Sequence, residues 1–321
     1  LRTLAAILTL LAATGCGSYA DFRLPAPESS GPAGPFGWEA RPDPVIPRGD
    51  ARDVLNPSVV RFRGAYWNLY SEFDGAAWHT AAATSPDGET WQLLGRVLSP
   101  RAAEGAYIAA NGSALELDGE LYYWFETGYP LRIALARSRD GRHWERTPPV
   151  LSTGPYGSFD EIAVADPYVI RAAGAFFMFY LGQDRAARQR LGLARSHDGV
   201  RWEKLRANPI LEGRDGAFDE ELGEPAVWSS GGWWWMLYTG RARDERRRLG
   251  LARSRDGLAW ERMEGFVLSG AHPWNSQVLC DPAVELLPEG AVRVWFGGGD
   301  LARPDENLNG QIGLGWLRPV R

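Results

Sequence analysis

Cysteine, methionine and histidine are scarce: two, three and four residues among 321. The few cysteines and histidines form no metal-binding constellation, and with so little sulfur the fold must stand on its apolar core. Positive charge is not in excess either. A formal charge of −5 and a pI near 5.6 exclude nucleic acid as the main partner. The apolar run Leu4 to Ala13 is too short to span a bilayer. What the chain has in quantity is tryptophan (15), glycine (38) and proline (22). Flat apolar rings suit β-strands and sugar faces alike, and glycine and proline supply turns. The composition predicts an all-β protein.

The run Leu4 to Ala13 follows Arg2 and ends at Ala13-Thr14-Gly15-Cys16. A basic residue, a short apolar core and small residues before a cysteine read as an export signal. The end resembles the lipobox of bacterial lipoproteins, which implies lipidation of Cys16 and an exported chain held at the cell envelope by a lipid anchor alone. The division predicted is 1–16 signal, 17–36 flexible tether and 37–321 folded domain. The tether reading rests on Ser, Pro, Ala and Gly. An acylated Cys16 leaves Cys280 without a disulfide partner, and Cys280 reads as a small buried hydrophobe.

Two series organise the domain. Trp38, Trp91, Trp144, Trp202 and Trp260 recur at intervals of 53, 53, 58 and 58 residues, the last four preceded by Ser-x-Asp-Gly-x-x. In step run Asn56-Pro57, Asn111-Gly112, Asp166-Pro167, Glu224-Pro225 and Asp281-Pro282. Each unit contains four strand-like runs with Gly or Asp-Gly turns between them. Four antiparallel strands repeated about every 55 residues describe a propeller blade, so the chain reads as a five-bladed β-propeller. The last unit lacks its outermost strand, and Trp38 to Ile46 has the pattern to supply it, which hides the sheet edges.

Topology sorts the motifs by face. Ser-x-Asp-Gly falls at one end of the strands as turn structure; it resembles the sialidase Asp box, one residue shorter. Asn56, Asn111, Asp166, Glu224 and Asp281 fall at the other end, around the axis. An acid or amide before proline can simply cap a strand, but three carboxylates converging on a narrow channel repel one another without a compensating role. Such clusters mark functional sites. Around them, Glu126 and Arg241 leave second strands as polar rim groups, and His272 with Trp274 precedes Asp281 as a candidate stacking wall.

Innermost strands opened by acid-Pro, with Asp in the third unit and Glu in the fourth, resemble the five-bladed glycoside hydrolases: the arabinanase and β-xylosidase family 43, the invertase and levansucrase families, and the mannoside phosphorylases of family 130. The resemblance covers about residues 38 to 317. It implies Glu224 as general acid, Asp166 as the charge that tunes it, an oligo- or polysaccharide partner, a monomer and no required cofactor, with a structural calcium in the axial channel ordinary for the group. The departure is Asn56, which stands where the general base belongs and cannot take a proton near neutral pH. Asp53, Asp74 or Asp281 is left to substitute, or the site binds a sugar without cleaving it.

Overall fold

The computed structural model describes residues 18–320; the run Leu4 to Ala13 and Cys16 lie outside them. Among the described residues the chain is all-β, with two short 3-10 turns and no helix long and apolar enough to cross a membrane. Strands β1 (Ser18–Ala20) and β2 (Phe36–Ala40) precede the repeats. Then β3 (Asp53–Phe62), β4 (Ala65–Phe73), β5 (Trp78–Ser85) and β6 (Gln92–Leu98) pair in order, antiparallel. The same meander recurs in β7 (Ile108–Leu117), β8 (Glu120–Thr127), β9 (Arg132–Ser138) and β10 (Glu145–Arg146). It recurs again in β11 (Ala163–Ala172), β12 (Ala175–Gln183), β13 (Gln189–Ser196) and β14 (Trp202–Leu205). A further copy is β15 (Glu221–Ser230), β16 (Trp233–Arg241), β17 (Arg247–Ser254) and β18 (Glu261–Leu268).

The last group is β19 (Val278–Leu286), β20 (Val292–Gly299) and β21 (Gln311–Pro319), completed by β2. Trp38 lies opposite Leu317, and Ile46 makes a separate bridge to Ile312. The fourth strand thus comes from the N-terminal side, as the repeat pattern requires. Short parallel pairings, Trp78 with Ile108 and Arg247 with Val278, link neighbouring groups, so hydrogen bonding joins the strands into three sheets.

Second strands such as β12 are buried from Ala175 to Leu181, because they are covered on both faces by neighbouring groups. Continuous apolar runs of this length are what such a strand needs. The core is accordingly built between groups: Phe179, Leu191 and Leu193 pack with Leu222, Met236 and Tyr238.

At one end of the strands lie the Ser-x-Asp-Gly turns. Ser85 Oγ accepts the Gly88 N–H at 2.8 Å, and Asp87 Oδ1 accepts those of Glu89 and Thr90 at 2.8 and 2.9 Å. Asp140, Asp198 and Asp256 repeat the arrangement. Each turn glycine has φ between 73 and 78° and abuts a side chain from outside its own group. Trp295 Nε1 donates to the Gly88 carbonyl and Trp124 Nε1 to that of Gly199, both at 2.8 Å. At Gly141 a Cβ would come within 2.2 Å of Trp67. Only glycine combines that backbone with that approach.

The stretch 17–36, whose composition predicts a flexible tether, is a docked strap from Ser18 onward. Strand β1 pairs parallel with β14, Ser18 opposite Glu203. Phe22 and Leu24 are then buried in the core shared by the third and fourth groups. The Leu24 N–H donates to Asp256 O at 2.9 Å, and Leu24 fills the space beside Gly257, 2.4 Å from where a Cβ would stand. Further on, Trp234 Nε1 donates to Pro25 O at 2.9 Å, and the Gly231 and Gly232 N–H groups reach Ser30 O and Glu28 O. Alternate residues Phe22 and Leu24 give the strap one apolar face, and that pattern outweighs its polar and proline-rich composition.

Candidate functional site

The first strands of all five groups break register at the same place: between Leu55 and Ser58, Ala110 and Ser113, Ala165 and Tyr168, Gly223 and Ala226, and Cys280 and Ala283. The bulge residues are Asn56, Asn111, Asp166, Glu224 and Asp281, with φ of 49, 48, 47, 51 and 51°. Left-handed backbone is tolerated by Asn and Asp and is less usual for Glu. Four of the five are followed by proline, which has no N–H to lose where the ladder is interrupted. A bulge re-aims its side chain, and strain of this kind gathers at functional sites. Here it lies inside the strand rather than at its entry, so strand capping is not the role of these residues.

The bulges form a closed relay. The Glu224 N–H donates to Asp166 Oδ2 at 3.1 Å, the Asp281 N–H to Glu224 Oε2 at 3.2 Å, and the Asn56 N–H to Asp281 Oδ2 at 3.2 Å. Ser71 Oγ accepts the Asn111 N–H at 2.9 Å, and Glu126 Oε1 accepts that of Asp166 at 2.7 Å. Each bulge amide is thus held by a side chain of the preceding group. The Asn111 amide donates to both Glu126 (2.5 Å) and Asp166 (2.6 Å) and so bridges two carboxyls.

The ring is the waist between two cavities that share it, one of about 630 Å³ at the mouth and one of about 370 Å³ deeper in the axis. Trp78, Tyr107, Thr239, Arg241 and Arg247 add to the wall of the larger. Burial, then the charge of Glu224, pushes Asp166 up to about 6. Burial and Glu224 likewise hold Asp281 well above the usual carboxylate range. For Glu126 the causes are burial and Asp166. The floor carboxyls therefore hold their protons to higher pH than free carboxylates do, which suits acid–base work on a bound oxygen. Burial raises the Cys280 thiol well above its ordinary value, Asp281 adding to it, so Cys280 is no nucleophile.

Glu224, Cys280 and Asp281 have ligand atoms within 4.8 Å of one another. Two carboxylates and a thiol do not make the oxygen shell of six to eight ligands that calcium takes. The calcium suggested by the resemblance has no fitting donor set there.

Of the polar rim groups, Glu126 is buried at the floor and Arg241 is in the wall, donating to Glu221 Oε2 at 3.0 Å and Pro304 O at 2.7 Å. His272 and Trp274 line neither cavity. Trp274 instead stacks on Phe296 with centroids 6.0 Å apart and 12° between planes, and its Nε1 donates to Pro42 O at 2.8 Å. Gly298 and Gly313 leave the room its ring occupies. The His272 N–H is taken by Asn275 Oδ1 at 2.9 Å in the adjoining 3-10 turn.

Among the substitutes for a base, Asp53 accepts the N–H groups of Asn307, Leu308 and Gly310 at 2.6–2.8 Å. Asp74 pairs with His79 and Arg96. Only Asp281 faces the cavity. Sequence reasoning passed over Thr239, which enters through the end of β16. Arg247, which opens β17, belongs to the run Arg241 to Arg248, whose five arginines read from the sequence either as a receiver of phosphate or an acidic sugar or as a plain surface loop.

Comparison with known proteins fits this architecture. The profile described as "Glycosyl hydrolases family 32 N-terminal domain" matches residues 133–280. Solved structures similar to the chain include a glycosyl hydrolase from Bacteroides ovatus (16% identity, 94% of this chain and 98% of that one, TM-score 0.69). Another belongs to work on family 130 mannoside phosphorylases and the glycoside hydrolases among them that target β-1,2 mannosidic linkages in Candida mannan (16% identity, 90% and 97%, TM-score 0.68). An uncharacterised protein of Mycobacterium tuberculosis is 36% identical over 113 residues, 35% of this chain. The match spans about a third (36%) of that relative's length. The chain has the fold of the propeller-type glycoside hydrolase superfamily.

Proposed function

We propose that the five antiparallel groups are the five blades of one propeller and that the cavity at its mouth binds a glycan and hydrolyses a glycosidic bond. The observation that carries this reading is the trio Asp166, Glu224 and Asp281, held on bulged strands at the floor of a cavity of about 630 Å³, a size suited to sugar units. Glu224 delivers a proton to the leaving oxygen. Asp166 accepts the Glu224 N–H and lends a like charge. Asp281, its carboxyl held well above the usual range by burial and by the neighbouring Glu224, stands beside it. That pair then offers one acid and one base in the absence of a carboxylate at Asn56.

A second reading has its own support: a glycan-binding protein without turnover, favoured by Asn56 and by the use of every ring carboxylate as a backbone acceptor. Screening the domain on aryl glycosides and polysaccharides, with and without phosphate, separates the two. Glu224→Gln should lower cleavage by roughly 10²–10⁴ with binding kept. Glycan binding without any turnover, and an affinity change as the sole effect of Glu224→Gln, would establish the second reading.

The same proposal has the chain exported as a monomer and tethered through lipid on Cys16. Cys16→Ser should then release it from membranes, and a wild type recovered wholly in the soluble fraction after export would remove the anchor.

A further inference from the structure

Two cations are buried among the described residues, Lys204 and Arg247. Lys204 pairs with Asp160 at 2.5 Å. Arg247 is 7% exposed and has no carboxylate within 4.0 Å among the described residues. Its Nη2 donates to Pro304 O, and its Nη1 is buried without a hydrogen-bond partner. Burying a guanidinium with a vacant donor is costly unless something completes it. Arg247 also lines the larger cavity, on the same wall as Arg241. Arg241 is neutralised by Glu221 and shares the Pro304 carbonyl. The loop carrying Pro304 therefore positions both arginines and leaves Arg247, whose charge acts on Asp281 and Cys280, with a vacant donor and no carboxylate in direct contact.

We propose that Arg247 Nη1 receives the carboxylate of an acidic sugar, so that the glycan bound at this mouth contains a hexuronic acid unit. The inference rests on the glycan-site reading and names its substrate class. A carboxylate matches one vacant donor and a positive charge that no carboxylate touches directly. Free phosphate, with more oxygens and more charge, would meet the ring carboxyls with a single donor to hold it. The acidic floor and the basic wall thus divide the work: the ring acids face the glycosidic oxygen, and Arg247 holds the sugar by its acid group and sets its orientation, since charge-assisted hydrogen bonds are short and directional.

The test is calorimetric titration of the soluble domain with oligogalacturonides, alginate oligomers and glucuronoxylan oligomers, each against its carboxyl-reduced form. At least one acidic oligomer should bind about tenfold or more tighter than its reduced counterpart, and inorganic phosphate should not displace it. Arg247→Met should abolish the preference, and Arg247→Lys, which keeps the charge in a fold less disturbed, should retain part of it. Equal binding of acidic and reduced oligomers, or displacement by millimolar phosphate, overturns the acidic-sugar assignment while leaving the glycan site standing. If no glycan of the panel or of the neutral polysaccharide screen binds, the glycan-site reading itself fails.

Discussion

The two ends of the strands carry two acid-bearing repeats, and the same side-chain type behaves in opposite ways at each. At the turn end, Asp87 accepts the N–H groups of Thr90 and Glu89 from its own loop, which pull it down to about 2. Asp140 is pulled lower still, by His143 and by its own loop amides. At the mouth, Asp166 accepts an N–H from the next group yet is buried beside Glu224 and rises to about 6. A carboxylate satisfied by its own turn and open to water is a structural anion. One satisfied across groups and shut away from water becomes a proton store. Burial and neighbouring charge, more than the number of hydrogen bonds, decide which.

The contrast can be broken most strongly at the fourth turn. There the strap residue Leu24 covers Gly257, where tryptophans cover the turns at Gly88, Gly141 and Gly199. Leu24→Ala should cost about 2–5 kcal/mol, measured by urea unfolding, and a change below that range would show the strap to be lightly held. The two repeats should also respond to pH with opposite sign. Asp166 has its pKa raised from 3.8 to about 6, so its contribution to stability is present below about pH 4 and is lost as pH rises through 6. Asp87 is lowered from 3.8 to about 2, so its contribution is present above about pH 4 and is lost as pH falls through 2. Asp166→Asn should remove a fall on the order of 2–3 kcal/mol between pH 4 and 7, whereas Asp87→Asn should alter only the acid limb. Matching pH profiles for the two variants would erase the distinction. The smallest effect is expected at Gly141→Ala, where the Cβ meets Trp67: about 1–3 kcal/mol of destabilisation, with ligand binding at the mouth unchanged.

Much of this was legible in the sequence because it repeats. The Trp series located the outer strands, and the acid-Pro series located the ring, down to the completion of the last group by β2. A repeat reports what is equivalent in every unit. It is silent on what occurs once, and the errors fall there. Trp274 had the composition of a sugar platform, yet Gly298 and Gly313, distant in sequence, open a slot that draws its ring into the core. The strap read as a tether because prolines and serines outnumber its two inward residues, Phe22 and Leu24. The bulge at Asp166 was hidden for another reason: Asp-Pro is compatible with a strand entry and with a kink inside a strand, and pairing with β12 decides between them.

The strap has a further consequence for how the molecule would sit on a surface. Strand β1 begins at Ser18 and is the outermost strand of its group, two residues after Cys16. A lipid at Cys16 would therefore work through a leash of about 7 Å at full extension. On the proposed lipidation, the anchor would sit at the turn end of the strands, because Ser18 lies opposite Glu203 at the start of β14, beside the Asp198-Gly199 turn. The mouth, at the opposite end of the strands, would then open away from the bilayer.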